Sequence, residues 1–248
     1  MASSNHDLLI RSFAIDDSMI PPGSYLRKIP VLKNLHALSF HRNVTFFAGE
    51  NGTGKSTLLE ALAIACGFNP EGGTRNYAFS SRDSHSELYQ AIRLVRSARK
   101  PAHGYFLRAE SFYNVATKEE EYSAYGGVPA HFHEKSHGES FLAMARQHFT
   151  GGGLYFLDEP EAALSAQGQL SLLLKIHDCA EKGAQFVIAT HSPILLAMPE
   201  AEILNFNDGE LHACSYEETD SYRIYEMFIR NRQLVLKHLF EDENKEES

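Results

Sequence analysis

The sequence predicts an α/β fold, a mainly parallel sheet flanked by helices, and two stretches carry that prediction. In the first, the apolar run 43–49 passes through a glycine-crowded loop into the Leu- and Ala-rich run 55–67, the order strand, loop, helix. In the second, one apolar run ends in the acids Asp158 and Glu159 and another ends in His191. Between them Leu170, Leu173, Leu174 and Ile176 recur at near-helical spacing. Strand, helix, strand of continuous apolar character marks a parallel sheet covered on both faces.

The remaining segments fit around these two units. Residues 69–136 follow the alternation poorly and carry Gly72, Gly73, Gly126, Gly127 and Pro129. They read as a smaller, partly helical arm inserted after the first helix of a single domain spanning 1–248. Within the arm, residues 84–100 are expected to form a helix that buries Leu88, Ile92 and Val95. Arg93, Arg96, Arg99 and Lys100 would then lie opposite, as a solvated basic face in preference to a nucleic-acid stripe. An Asn-Asp-Gly turn between short runs predicts a hairpin over 202–214, and 221–240 reads as a closing helix.

Composition narrows the class. At 248 residues, 43% hydrophobic and 22% charged, the chain has the make-up of an ordinary globular protein. No stretch approaches the roughly 20 apolar residues that span a bilayer, and the first residues lack a signal peptide's apolar centre. Three cysteines (Cys66, Cys179, Cys214) make no disulfide framework and show no metal-ligand pairing, so a cytoplasmic protein with reduced thiols is expected. A net charge of −9, to which the acidic end 241–248 contributes, argues against nonspecific binding along a phosphate backbone.

The loop carries the chemistry. Gly49-x-x-x-x-Gly54-Lys55-Ser56 has the Walker A spacing, in which a flexible loop turns backbone N–H groups onto phosphates. Gly49, Glu50, Asn51, Gly52, Thr53 and Gly54 form that cradle, and Ser56 and Thr57 open the helix behind it. Lys55 can reach the terminal phosphates of ATP, the Ser56 hydroxyl can ligate Mg²⁺, and the helix N-terminus favours the anion. Asp158, at the end of a buried strand, is placed to hold the Mg²⁺ through water, and Glu159 to polarise an attacking water as general base. An N-cap pair opening a helix is the structural alternative for these two acids.

With these residues in view the chain resembles the ABC-type ATPases, and among them the small stand-alone members related to the SMC and recombination-repair ATPase heads. Ser136, His137, Gly138, Glu139 and Ser140 are similar to the family's signature motif, with Glu139 where transporters usually carry Gln. The resemblance implies that this motif opens a helix and binds the γ-phosphate held by a second subunit. It also implies that His191 is the switch histidine that touches the γ-phosphate. Residues 161–169 resemble the D-loop, with Ser165 replacing the common aspartate. No glutamine follows the strand 104–108, and Glu110 is the stand-in for the Q-loop group. The adenine-stacking aromatic is expected to be Tyr25 or Phe13.

The resemblance thus implies an ATPase that closes as a homodimer with ATP at the interface, and it links such heads to DNA maintenance or defence. An effector protein or nucleic acid is a further expected partner, and a membrane is not. Two rivals stand beside this reading: the ATP-binding subunit of a transporter, and a slow ATPase that serves a partner effector as a regulatory module. His131 and His133 stand two apart, as residues sharing an ion can, but zinc sites need three or four well-placed ligands and His137 falls in the signature motif, so no metal site is expected there. His36, His41, His148 and His177 read as surface or packing residues.

Overall fold

The computed structural model describes residues 8–74, 86–108 and 137–246. Ser136, Glu110, His131, His133 and most of the expected arm lie outside the described residues.

A six-stranded sheet forms the centre, built from β3 (Val44–Ala48), β5 (Gly104–Arg108), β6 (Leu154–Asp158), β7 (Gln185–Ala189), β8 (Glu202–Asn205) and β9 (His212–Cys214). Its strand order is β5-β6-β7-β3-β8-β9, parallel throughout except for the antiparallel edge strand β9. A second sheet of three antiparallel strands joins β1 (Ile10–Ile15) to β2 (Ala37–Ser39) and to β4 (Ile92–Arg96). The helices are α1 (Pro30–Asn34), α2 (Lys55–Ala65), α3 (Leu88–Ala91), α4 (His137–His148), α5 (Ala166–Glu181), α6 (Pro193–Leu196) and α7 (Asp220–Glu246).

Strand side chains alternate between faces, and here both faces are apolar. Phe47, Phe106, Phe156, Val187 and Leu204 point into one core with α1, α2 and the small sheet. Phe46, Tyr105, Tyr155, Phe186 and Ile188 point into the other with α4 and α5. That is why the strands show no alternation in sequence. The two sheets are fastened by Gln185, a buried side chain whose Oε1 accepts from Ile10 N (2.8 Å) and whose Nε2 donates to Ile10 O (3.0 Å).

The predicted elements 43–49, 55–67, 202–214 and 221–240 are present as β3, α2, the β8–β9 hairpin and α7. One expectation is corrected. Residues 84–100 do not make a helix: α3 ends at Ala91, and Ile92–Arg96 is strand β4, registered from Ile15↔Ile92 to Ile10↔Arg96 against β1. Ile92 and Val95 are β-branched, and the open edge of β1 supplies the hydrogen bonds that outweigh a weak helical preference. Val95, expected inside, is 53% exposed. The basic residues do not form a helical stripe either. Arg93 donates to Gln90 O (3.0 Å), Arg96 to Ala65 O (2.8 Å) and Arg99 to Gly183 O (2.7 Å). Two strands of the span 69–136 belong to the sheets, β4 to the small one and β5 to the edge of the large one.

Candidate functional site

The parallel strands β3, β6 and β7 end at one edge of the sheet, and the site is assembled there from the loops that follow them. The loop after β3 enters α2 through two positions that demand glycine. Gly49 has φ +137°, and a Cβ there would meet Asn207 Oδ1 at 2.9 Å; Gly54 has φ +103°, and a Cβ would meet Ile29 Cγ2 at 2.7 Å. Within the loop, Thr53 Oγ1 donates to Glu50 O (2.8 Å). Asn207, from the β8–β9 hairpin, braces it by accepting from Glu50 N (2.8 Å) while its amide nitrogen donates to Asp220 at the start of α7. A cleft of about 680 Å³ opens between this loop and the hairpin.

Lys55 is 4% exposed, and its Nζ donates to two loop carbonyls, Gly49 O (2.7 Å) and Glu50 O (2.6 Å). Burial pushes its pKa below the ordinary lysine value, against the opposing pull of Glu159 and Asp158. Ser56 Oγ donates to Asp158 Oδ1 at 2.8 Å, so the first turn of α2 and the end of β6 meet across 102 residues of sequence.

Glu159 sits directly beyond the strand in the left-handed region (φ 48°, ψ 51°), a conformation that costs a non-glycine residue about 1–2 kcal/mol. Its N–H donates to Ala189 O (2.9 Å), which pins the turn to the end of β7. The carboxylate lies 3.7 Å from His191 Nε2, too far for a hydrogen bond. His191 N donates to Glu161 Oε1 at 2.6 Å. Among the described residues neither His191 Nε2 nor Glu161 Oε2, both buried, has a hydrogen-bond partner. Burial first, and the Lys55 charge second, push the His191 pKa below its ordinary value, so the imidazole is neutral at pH 7.

These groups fit the anion and cation they were expected to hold. The orphaned His191 nitrogen and a lysine resting on carbonyls are groups that phosphate oxygens can satisfy. The Ser56 hydroxyl and the Asp158 carboxylate are the hard oxygen donors that Mg²⁺ takes.

Two residues at the site were not foreseen. Arg108, at the end of β5, is registered beside Asp158; its Nη1 donates to Glu60 Oε2 (2.6 Å) and its Nε lies 3.9 Å from Asp158 Oδ2. Glu60, on α2, also accepts from Ser86 N (3.1 Å). Only the neighbouring of β5 and β6 makes Arg108 visible, and no spacing in the sequence reports it.

Of the other expected residues, Gly138 lies in the first turn of α4, where a Cβ would meet Ala163 O at 3.0 Å, so this turn abuts the segment that follows Glu159. Ser165, in place of the D-loop aspartate, caps α5 by accepting from Gly168 N (3.2 Å). Phe13 is 1% exposed in the core beside Phe40 and cannot stack on a base, whereas Tyr25 is 54% exposed. Among the described residues no group of three or more His, Cys, Asp or Glu is placed to hold a metal ion, and no helix is long and apolar enough to cross a membrane.

A family model described as an AAA domain matches residues 23–125. Macrolide export ATP-binding/permease protein MacB of Marinobacter nauticus is 26% identical over 225 residues, covering 80% of this chain and 34% of that protein. Its namesake from Hahella chejuensis is 24% identical over 213 residues, covering 75% and 31%. The chain therefore spans about a third of the length of these curated relatives. Among solved structures, a metal-chelate type ABC transporter in an inward-facing conformation is similar at 21% identity and TM-score 0.40, with 74% and 76% of the two chains covered. The SMC head domain from Thermotoga maritima is similar at 11% identity and TM-score 0.40, with 84% and 99% covered.

Proposed function

We propose that this chain is a phosphate-loop ATPase of ABC and SMC-head type, which binds ATP with Mg²⁺, hydrolyses it, and acts as a homodimer that ATP closes. The observation that carries the reading is the 2.8 Å contact between Ser56 and Asp158, made where Lys55, Glu159 and His191 also converge.

Lys55 exchanges its two loop carbonyls for phosphate oxygens, and its charge, held largely out of water, attracts them more strongly than an exposed lysine would. Ser56 and Asp158 are the residues that would hold Mg²⁺, which when bound would neutralise charge on the phosphate oxygens. Glu159, anchored through its backbone to β7, accepts the proton of the attacking water. Neutral His191 offers Nε2 as a hydrogen-bonding group to the γ-phosphate side of the site. Ser136 and Gly138 of the partner subunit complete the site, which makes turnover depend on association. A role in DNA maintenance or defence is proposed from the signature's resemblance.

The test is the solution mass of Glu159→Gln with and without Mg·ATP. Doubling of the mass on adding Mg·ATP is the expected result, together with retained binding and lost turnover. ATP bound with no gain in mass would overturn the shared site, and parental turnover would overturn Glu159 as the base.

The named relatives favour a second reading, an ATP-binding subunit that serves a membrane permease. Co-sedimentation with membranes from the native host would support it, and a wholly soluble fraction would count against it.

A further inference from the structure

We propose that Glu161 is a positioning residue for ATP turnover, holding the turn that carries His191 so that the imidazole stands beside Glu159; the proposal rests on the reading of this site as an ATPase. The tie is a short one. His191 N donates to Glu161 Oε1 at 2.6 Å, a hydrogen bond to a carboxylate and so of the stronger kind. The sequence sets it up locally. Glu159 takes a positive φ and Pro160 fixes the next, which opens the 3₁₀ turn Pro160–Ala163, held by Ala162 N donating to Glu159 O (3.1 Å). Both acids thereby converge on one histidine. The Glu159 carboxylate lies 3.7 Å from its Nε2, and the Glu161 carboxylate takes its backbone N–H.

His191 depends on its backbone for its place. Among the described residues Nε2 of the ring has no hydrogen-bond partner, so the imidazole is aimed by the turn 190–192. Three successive N–H groups fasten that turn: Thr190 N donates to Phe47 O (3.2 Å) on β3, His191 N to Glu161, and Ser192 N to Thr190 Oγ1 (3.0 Å). Of these three, only the middle one reaches a side chain from outside the turn. Ser192 Oγ, donating to Gln169 Oε1 (2.6 Å) on α5, secures the far end of the turn and not His191 itself.

The other carboxylate oxygen argues for a duty beyond holding the fold. Oε2 is buried and has no partner among the described residues, whereas a side chain serving structure alone would normally have both oxygens matched. Burial lowers the pKa of Lys55 and of His191, and the Glu161 charge opposes that effect at both, so the carboxylate is close enough for each of them to feel it. An unmatched carboxylate oxygen kept beside these two groups is a cost that a reacting site retains and a plain core sheds.

The experiment is a double-mutant cycle of Glu161→Ala and His191→Ala in the full chain, read as kcat and KM for ATP in a phosphate-release assay. Glu161→Ala should lower kcat by about 10²-fold, the cost of a group set roughly 1 Å out of place, with KM for ATP near its parental value. The double variant should be no slower than His191→Ala alone. A purely structural loss would persist there, since residue 191 keeps its N–H, whereas a loss carried by the imidazole has nothing left to act on. Glu161→Gln keeps an acceptor for that N–H and should recover most of the lost rate. Losses that multiply in the double variant, or a Glu161→Ala protein with parental kcat, overturn the positioning role. A Glu161→Gln protein as slow as Glu161→Ala overturns the bond to His191 N as its means. A parent chain that does not turn over ATP overturns the ATPase reading itself, which each of the other failures leaves standing.

Discussion

The loop 49–54 and the segment 88–96 are both short, and both lie close to α2, yet only the first declares its structure in the sequence. The loop's conformation is dictated by atoms within it. Gly49 and Gly54 take positive φ where a side chain would collide, and Lys55 folds back onto carbonyls five and six residues behind it. The second segment has no such internal demand. Its residues accept helix or strand, and the edge of β1, more than 70 residues earlier, chooses strand. A motif that satisfies itself is readable; a segment that completes something else is not.

The largest effects sharpen the loop side of this contrast. Lys55→Ala should abolish ATP binding and turnover, and Glu159→Gln should lower turnover by about 10²–10⁴-fold while binding persists. Equilibrium binding of a fluorescent ATP analogue and a phosphate-release assay check both; a Lys55→Ala protein that still binds tightly would break the assignment of the loop. Next in size is Gln185→Leu, which strands both polar groups of Ile10 in the core. It should lower stability by about 2–4 kcal/mol in urea titration and leave nucleotide affinity near its parental value. A neutral result would mean the two sheets are not held together at this point. Gly54→Ala should cost about 1–2 kcal/mol by the same titration and, unlike Gln185→Leu, should weaken nucleotide binding as well.

The smallest effect is a pH dependence. Because the folded-state pKa of His191 is depressed, the unfolded chain takes up this proton first as pH falls below about 6.5, and the folded state loses stability there. Above that pH both states are neutral at this position and the penalty vanishes. His191→Gln should therefore flatten stability as pH falls below about 6.5, measured by thermal unfolding, and leave it unchanged near pH 8. A parallel acid slope in parent and variant would remove burial as the cause of the shift.

The sequence by itself determined the α/β layering, the strand–loop–helix unit around Lys55 and the placing of Asp158 and Glu159 at a strand end, because periodicity, glycine conformation and motif spacing act over a few residues. Tertiary structure alone decided that β4 is a strand, that Arg108 lies beside Asp158, that Gln185 clasps Ile10, and that Asn207 ties the loop 49–54 to α7. Each of these joins groups remote in sequence through one or two hydrogen bonds or a shared strand edge. Such contacts impose no period on either partner, so they exist only once the sheets have brought the two ends together.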